Sequence, residues 1–232
     1  MVCCGVLMGL VLLSLLPPAA WAEISNLAKI ITFLQENYGE GSAQFAVAIN
    51  VPAQKCSADL TPDQNFLPGD NATKAKKDMK GPQSVYQGKR LMGARPRRIP
   101  GSKSNYHSEY LLLIQPYPPS NDTLVKTLLA RYPDGCVIFY TLNSPCVQTC
   151  STPNKRYSII PALGVFRNHN GPKAFVFGQV WKHDENVAQW ETNMKEVNKN
   201  VPLYRCSGGV CTLCVDNNDV VNARCRDNSH HG

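Results

Sequence analysis

The feature that most constrains this chain is its first 22 residues, which carry no charged side chain and contain an apolar run from Val2 to Leu16. Pro17-Pro18 ends the run, and Ala20-Trp21-Ala22 has the small-x-small pattern of a signal peptidase site. The stretch is too short to cross a bilayer comfortably, which leaves an uncleaved anchor as the weaker alternative. Cleavage after Ala22 predicts a secreted chain that begins at Glu23, with a length suited to one compact domain. Secretion changes how every cysteine is read. Cys3 and Cys4 leave with the leader, while Cys56, Cys136, Cys146, Cys150, Cys206, Cys211, Cys214 and Cys225 remain. An even number of cysteines in an oxidising compartment defaults to disulfides. No later apolar run approaches membrane-spanning length, which excludes a multi-span membrane protein. With 43% apolar and 18% charged residues, a wholly disordered chain is excluded as well.

Two sequons, Asn71-Ala72-Thr73 and Asn121-Asp122-Thr123, lie beside turn-rich sequence, where glycan acceptors have to be. The net charge of +7 is concentrated in one segment. Lys74, Lys76, Lys77, Lys80, Lys89, Arg90, Arg95, Arg97, Arg98 and Lys103 stand there against a single acid, Asp78, an excess larger than that of the whole chain.

Apolar spacing predicts a helix over Ile24–Tyr38, ended by Gly39 and Gly41. Gln44–Val51 reads as a strand stopped by Pro52. Residues 52–104 read as a long irregular connection, with one strand over Ser84–Met92 inside it. Helices follow over Asn105–Gln115 and Asp122–Arg131. Cys136–Leu142 is a continuous buried-strand run leading into Ser144-Pro145, a pair suited to cap and start a helix carrying Cys146 and Cys150. Ala174–Trp181 reads as a strand and Asn186–Lys199 as a helix, with Trp181 and Trp190 packing the two together. His169, His183, His230 and His231 read as surface residues. Strands alternating with helices argue for an α/β or α+β sheet core.

Three pieces carry chemistry. His107-Ser108-Glu109 opens one predicted helix, and Pro145-Cys146 with Cys150 opens another, with a helix and a strand between them. One imidazole and two thiolates make a three-ligand zinc site with a fourth position open for water. Zinc lowers the pKa of such a water from 15.7 to about 7. Glu109, not itself a ligand, is placed to shuttle a proton. Cys146 and Cys150 are four apart, hence on one face of a helix, whose N-terminus favours thiolate.

His107-x-Glu109 followed by Pro145-Cys146 and Cys150 resembles the H-x-E…P-C-x-x-C signature of zinc-dependent nucleobase deaminases. The preceding strand and the Ser144-Pro145-Cys146 junction are most similar to the AID/APOBEC branch. With the leader, the chain resembles secreted AID/APOBEC-like deaminases over about residues 24–200. Two departures stand out: three residues (Val147, Gln148, Thr149) separate the cysteines where the signature has two, and Asn143 occupies the place of a pocket tryptophan. The resemblance implies a three-layer α/β/α domain, a five-stranded mixed sheet with helices on both faces. This gives a signal peptide (1–22), a deaminase-like domain (23–200, with basic loop 52–104) and a Cys-rich C-terminal tail (201–232).

The resemblance also implies zinc held by His107, Cys146 and Cys150, with Glu109 as catalytic acid/base and Ser144, Asn143 and Tyr106 at the substrate. A base-context loop is implied at Lys182–Glu185. The implied reaction converts cytosine to uracil in single-stranded DNA or RNA, or in free cytidine, in a role tied to immunity. A polyanion-binding protein without activity on the same scaffold is the alternative from another class.

That ligand set leaves Cys56, Cys136, Cys206, Cys211, Cys214 and Cys225 for bridging. Short-loop bridges within 206–225 are expected, and fifteen connectivities are open. A structural zinc knot in the tail competes with bridges there, and Cys136 also reads as a free core thiol. The basic segment, with Lys89, Arg90, Arg95, Arg97, Arg98 and Lys103, has three readings: a polynucleotide groove, a site for extracellular polyanions, and a processing site at Arg98-Ile99.

Overall fold

A computed structural model describes residues 23–57 and 60–228. The leader, with its cleavage site, and His230 and His231 lie outside the described residues.

The first helix, α1 (Leu27–Tyr38), buries Leu27, Ile30, Ile31, Leu34 and Tyr38, the stripe its spacing predicts. The strand that follows, β1 (Ala46–Val51), is buried at every position. The stretch expected as an irregular connection with one strand contains more regular structure than that. It holds α2 (Ala72–Lys80), β2 (Val85–Gln87), β3 (Leu91–Ala94) and β4 (Arg97–Arg98). The single strand expected over Ser84–Met92 is a hairpin, because the chain turns at residues 88–90. Asp70, buried from the adjoining loop, accepts backbone N–H bonds from Lys89 and Arg90 and the Tyr86 hydroxyl, which fixes that turn. Polar loop composition masked the hairpin because the signal that shapes it lies outside the strands.

A short ribbon pairs β4 with β5 (Asn105–Tyr106), so the helix expected from Asn105 begins later, as α3 (Ser108–Leu113). After α4 (Leu124–Arg131) comes β6 (Cys136–Asn143), at the centre of the sheet. The remaining strands and α-helix are β7 (Lys173–Gln179), α5 (Gln189–Asn198), β8 (Leu203–Ser207) and β9 (Val210–Leu213), with a 3₁₀ segment over Ile160–Phe166 before β7.

The main sheet has seven strands in the order β2-β3-β1-β6-β7-β8-β9, not the expected five. The β2–β3 hairpin puts two strands where one was read, and β8 and β9 come from the Cys-rich segment, expected as a tail. The β6–β7 and β7–β8 pairs are parallel, the others antiparallel. Along β6 the side chains alternate between two apolar clusters. Val137 and Phe139 face α3, α4 and α5, while Ile138 and Tyr140 face α1 and α2. Both faces of the strand are buried, so its sequence is a continuous apolar run. The three-layer arrangement thus matches the expected class.

Three bridges form: Cys56–Cys136, Cys206–Cys211 and Cys214–Cys225. Cys136 is therefore not a free core thiol, and the tail cysteines are bridged, which excludes the zinc knot. The Cys206–Cys211 bridge closes the β8–β9 hairpin across Gly208 and Gly209, whose φ values of +57° and +76° suit glycine.

His169, expected at the surface, is buried, with Nε2 2.6 Å from the Gly135 carbonyl. Burial lowers its pKa, with the neighbouring Lys173 cation adding to the effect. The unfolded chain then takes up a proton at a pH where the folded one does not. The contribution of His169 to stability is full above the unfolded-chain pKa of about 6.5 and is lost as pH falls below it. Denaturant midpoints at about pH 7.5 and about pH 5 should differ less in His169→Gln than in the parent. An equal difference would remove His169 from the account.

Candidate metal centre and catalytic cavity

The centre forms at the end of the sheet where β6 finishes. His107 immediately precedes α3, and Glu109, in the first turn of α3, is 2% exposed. Leu111, Leu112 and Leu113 hold that short helix in the core. From β6 the chain passes through Ser144, whose Oγ accepts the Trp181 backbone N–H and the Trp190 indole N–H. That grip fixes the approach to Cys146.

Cys146 and Cys150 do not begin a continuing helix. They span one turn, in which the Cys150 and Ser151 N–H groups both donate to the Cys146 carbonyl. The helix stops because the Thr152 hydroxyl takes the Val147 carbonyl and Pro153 brings no N–H. One turn is enough to put both sulfurs on one side.

The ligand atoms of His107, Cys146 and Cys150 lie within 4.8 Å of one another. His107 Nδ1 is 3.1 Å from Cys150 Sγ and 3.7 Å from Cys146 Sγ. One ring nitrogen and two sulfurs, both cysteines buried and neither in a disulfide, are a donor set that suits zinc. These are the residues the sequence motif singles out.

The electrostatics agree with that donor set. A hydrogen bond from Cys150 pulls the Cys146 thiol down to about 3, with His107 and the Thr149 hydroxyl contributing. The same bond and burial hold Cys150 well above the usual thiol range. The hydrogen bond to Cys146 pushes His107 up to about 9, against the effect of burial. The helix dipole expected from the sequence is thus replaced by hydrogen bonds. Cation binding by these atoms would release the remaining protons.

Burial raises the Glu109 pKa, while the His107 cation and the Thr141 hydroxyl oppose the rise. Thr141 Oγ1 donates to Glu109 Oε1 at 2.7 Å. Gln44 Nε2 donates to Thr141 Oγ1 at 2.9 Å, and Gln44 Oε1 accepts from the Asn143 side chain at 2.8 Å. A cavity of about 250 Å³ opens over this network, lined by Gln44, Asn105, His107, Glu109, Asn143, Ser144 and Trp181 among others. Beside it, a second hollow of about 320 Å³ shares His107, Cys146 and Trp181 and adds Tyr110, Tyr157 and Gln148.

The other expected site residues separate. Asn143 and Ser144 line the cavity. Tyr106 does not: it stacks on Tyr110, ring centroids 5.2 Å apart, and lines an outer groove with Arg97 and Arg98. Trp181, expected as packing between strand and helix, lies in the cavity wall with its ring 6.5 Å from that of His107. Lys103 is exposed in the β4–β5 turn. Arg95 is mostly buried against Glu40. Lys89 and Arg90 lie at the opposite end of the strands, since Arg90 bonds with Asn50 and Asn50 pairs with Val137.

Gln44 and Thr141 are residues the sequence reading missed, and Asp184 was singled out only as part of the Lys182–Glu185 loop, not as a brace for the cysteines. Asp184 is buried and accepts the Val147 N–H at 2.9 Å, bracing the cysteine turn. A signal existed for two of them: Gln44 and Thr141 are polar residues bordering or inside otherwise apolar strands, and buried polar groups need partners.

A mixed sheet with H-x-E on one element and a two-cysteine turn after the central strand defines a nucleobase deaminase scaffold. A family model described as Secreted Novel AID/APOBEC-like Deaminase 1 matches residues 24–229, and the chain belongs to that family. No curated protein and no solved structure matches the chain significantly. Family membership and three disulfides identify a secreted protein, and among the described residues no helix is long and apolar enough to cross a membrane.

Proposed function

We propose that this protein is a zinc-dependent hydrolytic deaminase that converts cytosine to uracil in a single-stranded polynucleotide. The observation that carries the reading is the convergence of His107, Cys146 and Cys150 on one side of a cavity whose wall contains the buried Glu109 carboxylate. Zinc, when held by those three residues, supplies the acidity that makes water a nucleophile at neutral pH.

The chain's own groups do the rest. Glu109 would take a proton from the attacking water at one carboxylate oxygen and pass it to the ring nitrogen. A second proton, from the hydroxyl newly joined to the ring carbon, would pass through Glu109 to the amino group, which leaves as ammonia as the C–N bond breaks. Burial raises its pKa, which favours the protonated form that the donating step needs. Thr141 fixes the carboxylate through Oε1. Asn143 and Gln44 tie the cavity floor together, and Ser144 is held so that its backbone can accept a bond from the exocyclic amine. Trp181 offers an aromatic wall for one base. The second hollow and the outer groove, with Tyr110, Tyr157 and Arg98, favour a strand over a free nucleoside. N-glycans on Asn71 and Asn121 fit the same reading, since both residues are exposed.

The test is an assay of purified secreted protein on cytosine-containing single strands and on cytidine side by side, with metal measured in the same preparation. Near-stoichiometric zinc with strand deamination is expected. Absence of zinc would remove the reading, and turnover of cytidine alone would reassign the substrate.

Thr141→Val deletes the bond that favours the ionised Glu109. The acid limb of the kcat/KM profile should move to higher pH with zinc content unchanged. An unmoved limb would separate Thr141 from the proton shuttle.

A further inference from the structure

The basic segment of the sequence is divided in space, and the part away from the cavity forms a surface of its own. Lys74 on α2, Lys89 on the β2–β3 turn and Arg131 on α4 line an open groove of about 520 Å³ with Tyr86 and Tyr132 in its walls. Arg131 Nη1 donates to the carbonyls of Gly88 and Lys89, which holds its guanidinium over the turn. Two acids lie close by. Asp70 is buried, its oxygens turned inward to Tyr86, Lys89 and Arg90. Asp78 forms a solvent-exposed pair with Lys74, of a kind a multivalent anion displaces at little cost.

Each aromatic already carries a cation over its ring. Tyr86 is buried beneath the Lys74 ammonium, 5.7 Å from its ring centroid, and the Arg90 guanidinium covers Tyr132 at 3.9 Å. A nucleic acid strand gains much of its affinity for such grooves from stacking, for which the buried Tyr86 and the cation-covered face of Tyr132 offer little room. Point charges around a polar groove suit sulfate groups instead.

We infer that this groove binds sulfated glycosaminoglycan chains outside the cell, at a site separate from the deaminase cavity and independent of the catalytic reading. Charge complementarity, secretion of the protein and the cations already seated on Tyr86 and Tyr132 favour such a chain.

The experiment measures binding of the whole secreted protein to a size-defined heparin oligosaccharide at physiological salt. Lys74→Gln with Lys89→Gln should weaken binding about tenfold, and Lys74→Arg with Lys89→Arg should restore it. Arg98→Gln with Lys103→Gln, near the cavity, should leave it unchanged. Equal losses in the two glutamine pairs would show diffuse charge attraction and overturn the site. A single-stranded oligonucleotide that competes as well as heparin, with the same dependence on Lys74 and Lys89, would assign the groove to nucleic acid and overturn the glycosaminoglycan reading.

Discussion

Glu109→Gln is expected to abolish deamination, by at least about 10²–10⁴-fold, the range that a positioned general acid–base contributes. The substitution is nearly isosteric. Its amide oxygen still accepts the Thr141 hydroxyl, and a neutral side chain suits a site where burial already disfavours the carboxylate. His107, Cys146 and Cys150 are untouched, so zinc per chain should equal that of the parent. Activity and metal content measured together make the result decisive. An unchanged rate would reject the proton-shuttle assignment, and lost zinc would show that Glu109 supports the metal centre instead.

Removing the Cys56–Cys136 bridge should have the largest effect on stability. The bridge joins residues 80 apart in sequence, and loop-closure entropy alone predicts a loss of about 4.5 kcal/mol. For a domain of this size that is roughly a 10–15 °C fall in melting temperature. Cys206–Cys211 closes a loop of only 5 residues, for which the same relation gives about 2 kcal/mol. Paired Cys→Ala replacements, compared by thermal denaturation, test the contrast. Equal losses from the two bridges would rule out chain entropy as the main source. The longer bridge ties the turn after β1 to the start of β6, so its loss frees the region around the central pair of strands.

The central strand and the clustering of the candidate metal-binding side chains were legible in the sequence for different reasons. Cys136–Leu142 is buried on both faces, so composition alone marks it. His107, Glu109, Cys146 and Cys150 could be read because metal chemistry restricts residue type and spacing at once. The hairpin within residues 84–94 was not legible. Its turn is fixed by Asp70, a carboxylate many residues earlier, and local pattern carries no trace of that bond. The helix expected at Ser144 failed for a related reason: Pro145 is a good first residue, but Thr152 and Pro153 end the turn almost at once. Disulfide connectivity was open until the strands were placed, since only the pairing of β8 with β9 puts Cys206 opposite Cys211. Tyr106 shows the limit of proximity in sequence: it neighbours His107, yet its ring points to Tyr110 and away from the cavity.

Strand direction has one more consequence. The Lys89–Arg90 turn bonds to β1 at Asn50, level with the first residues of β6, and the cavity opens past the last of β6, so the two lie about 23 Å apart at the strand rise per residue. A molecule moored to a tissue matrix by the cationic end would hold its reaction mouth outward, toward whatever drifts past in the surrounding fluid.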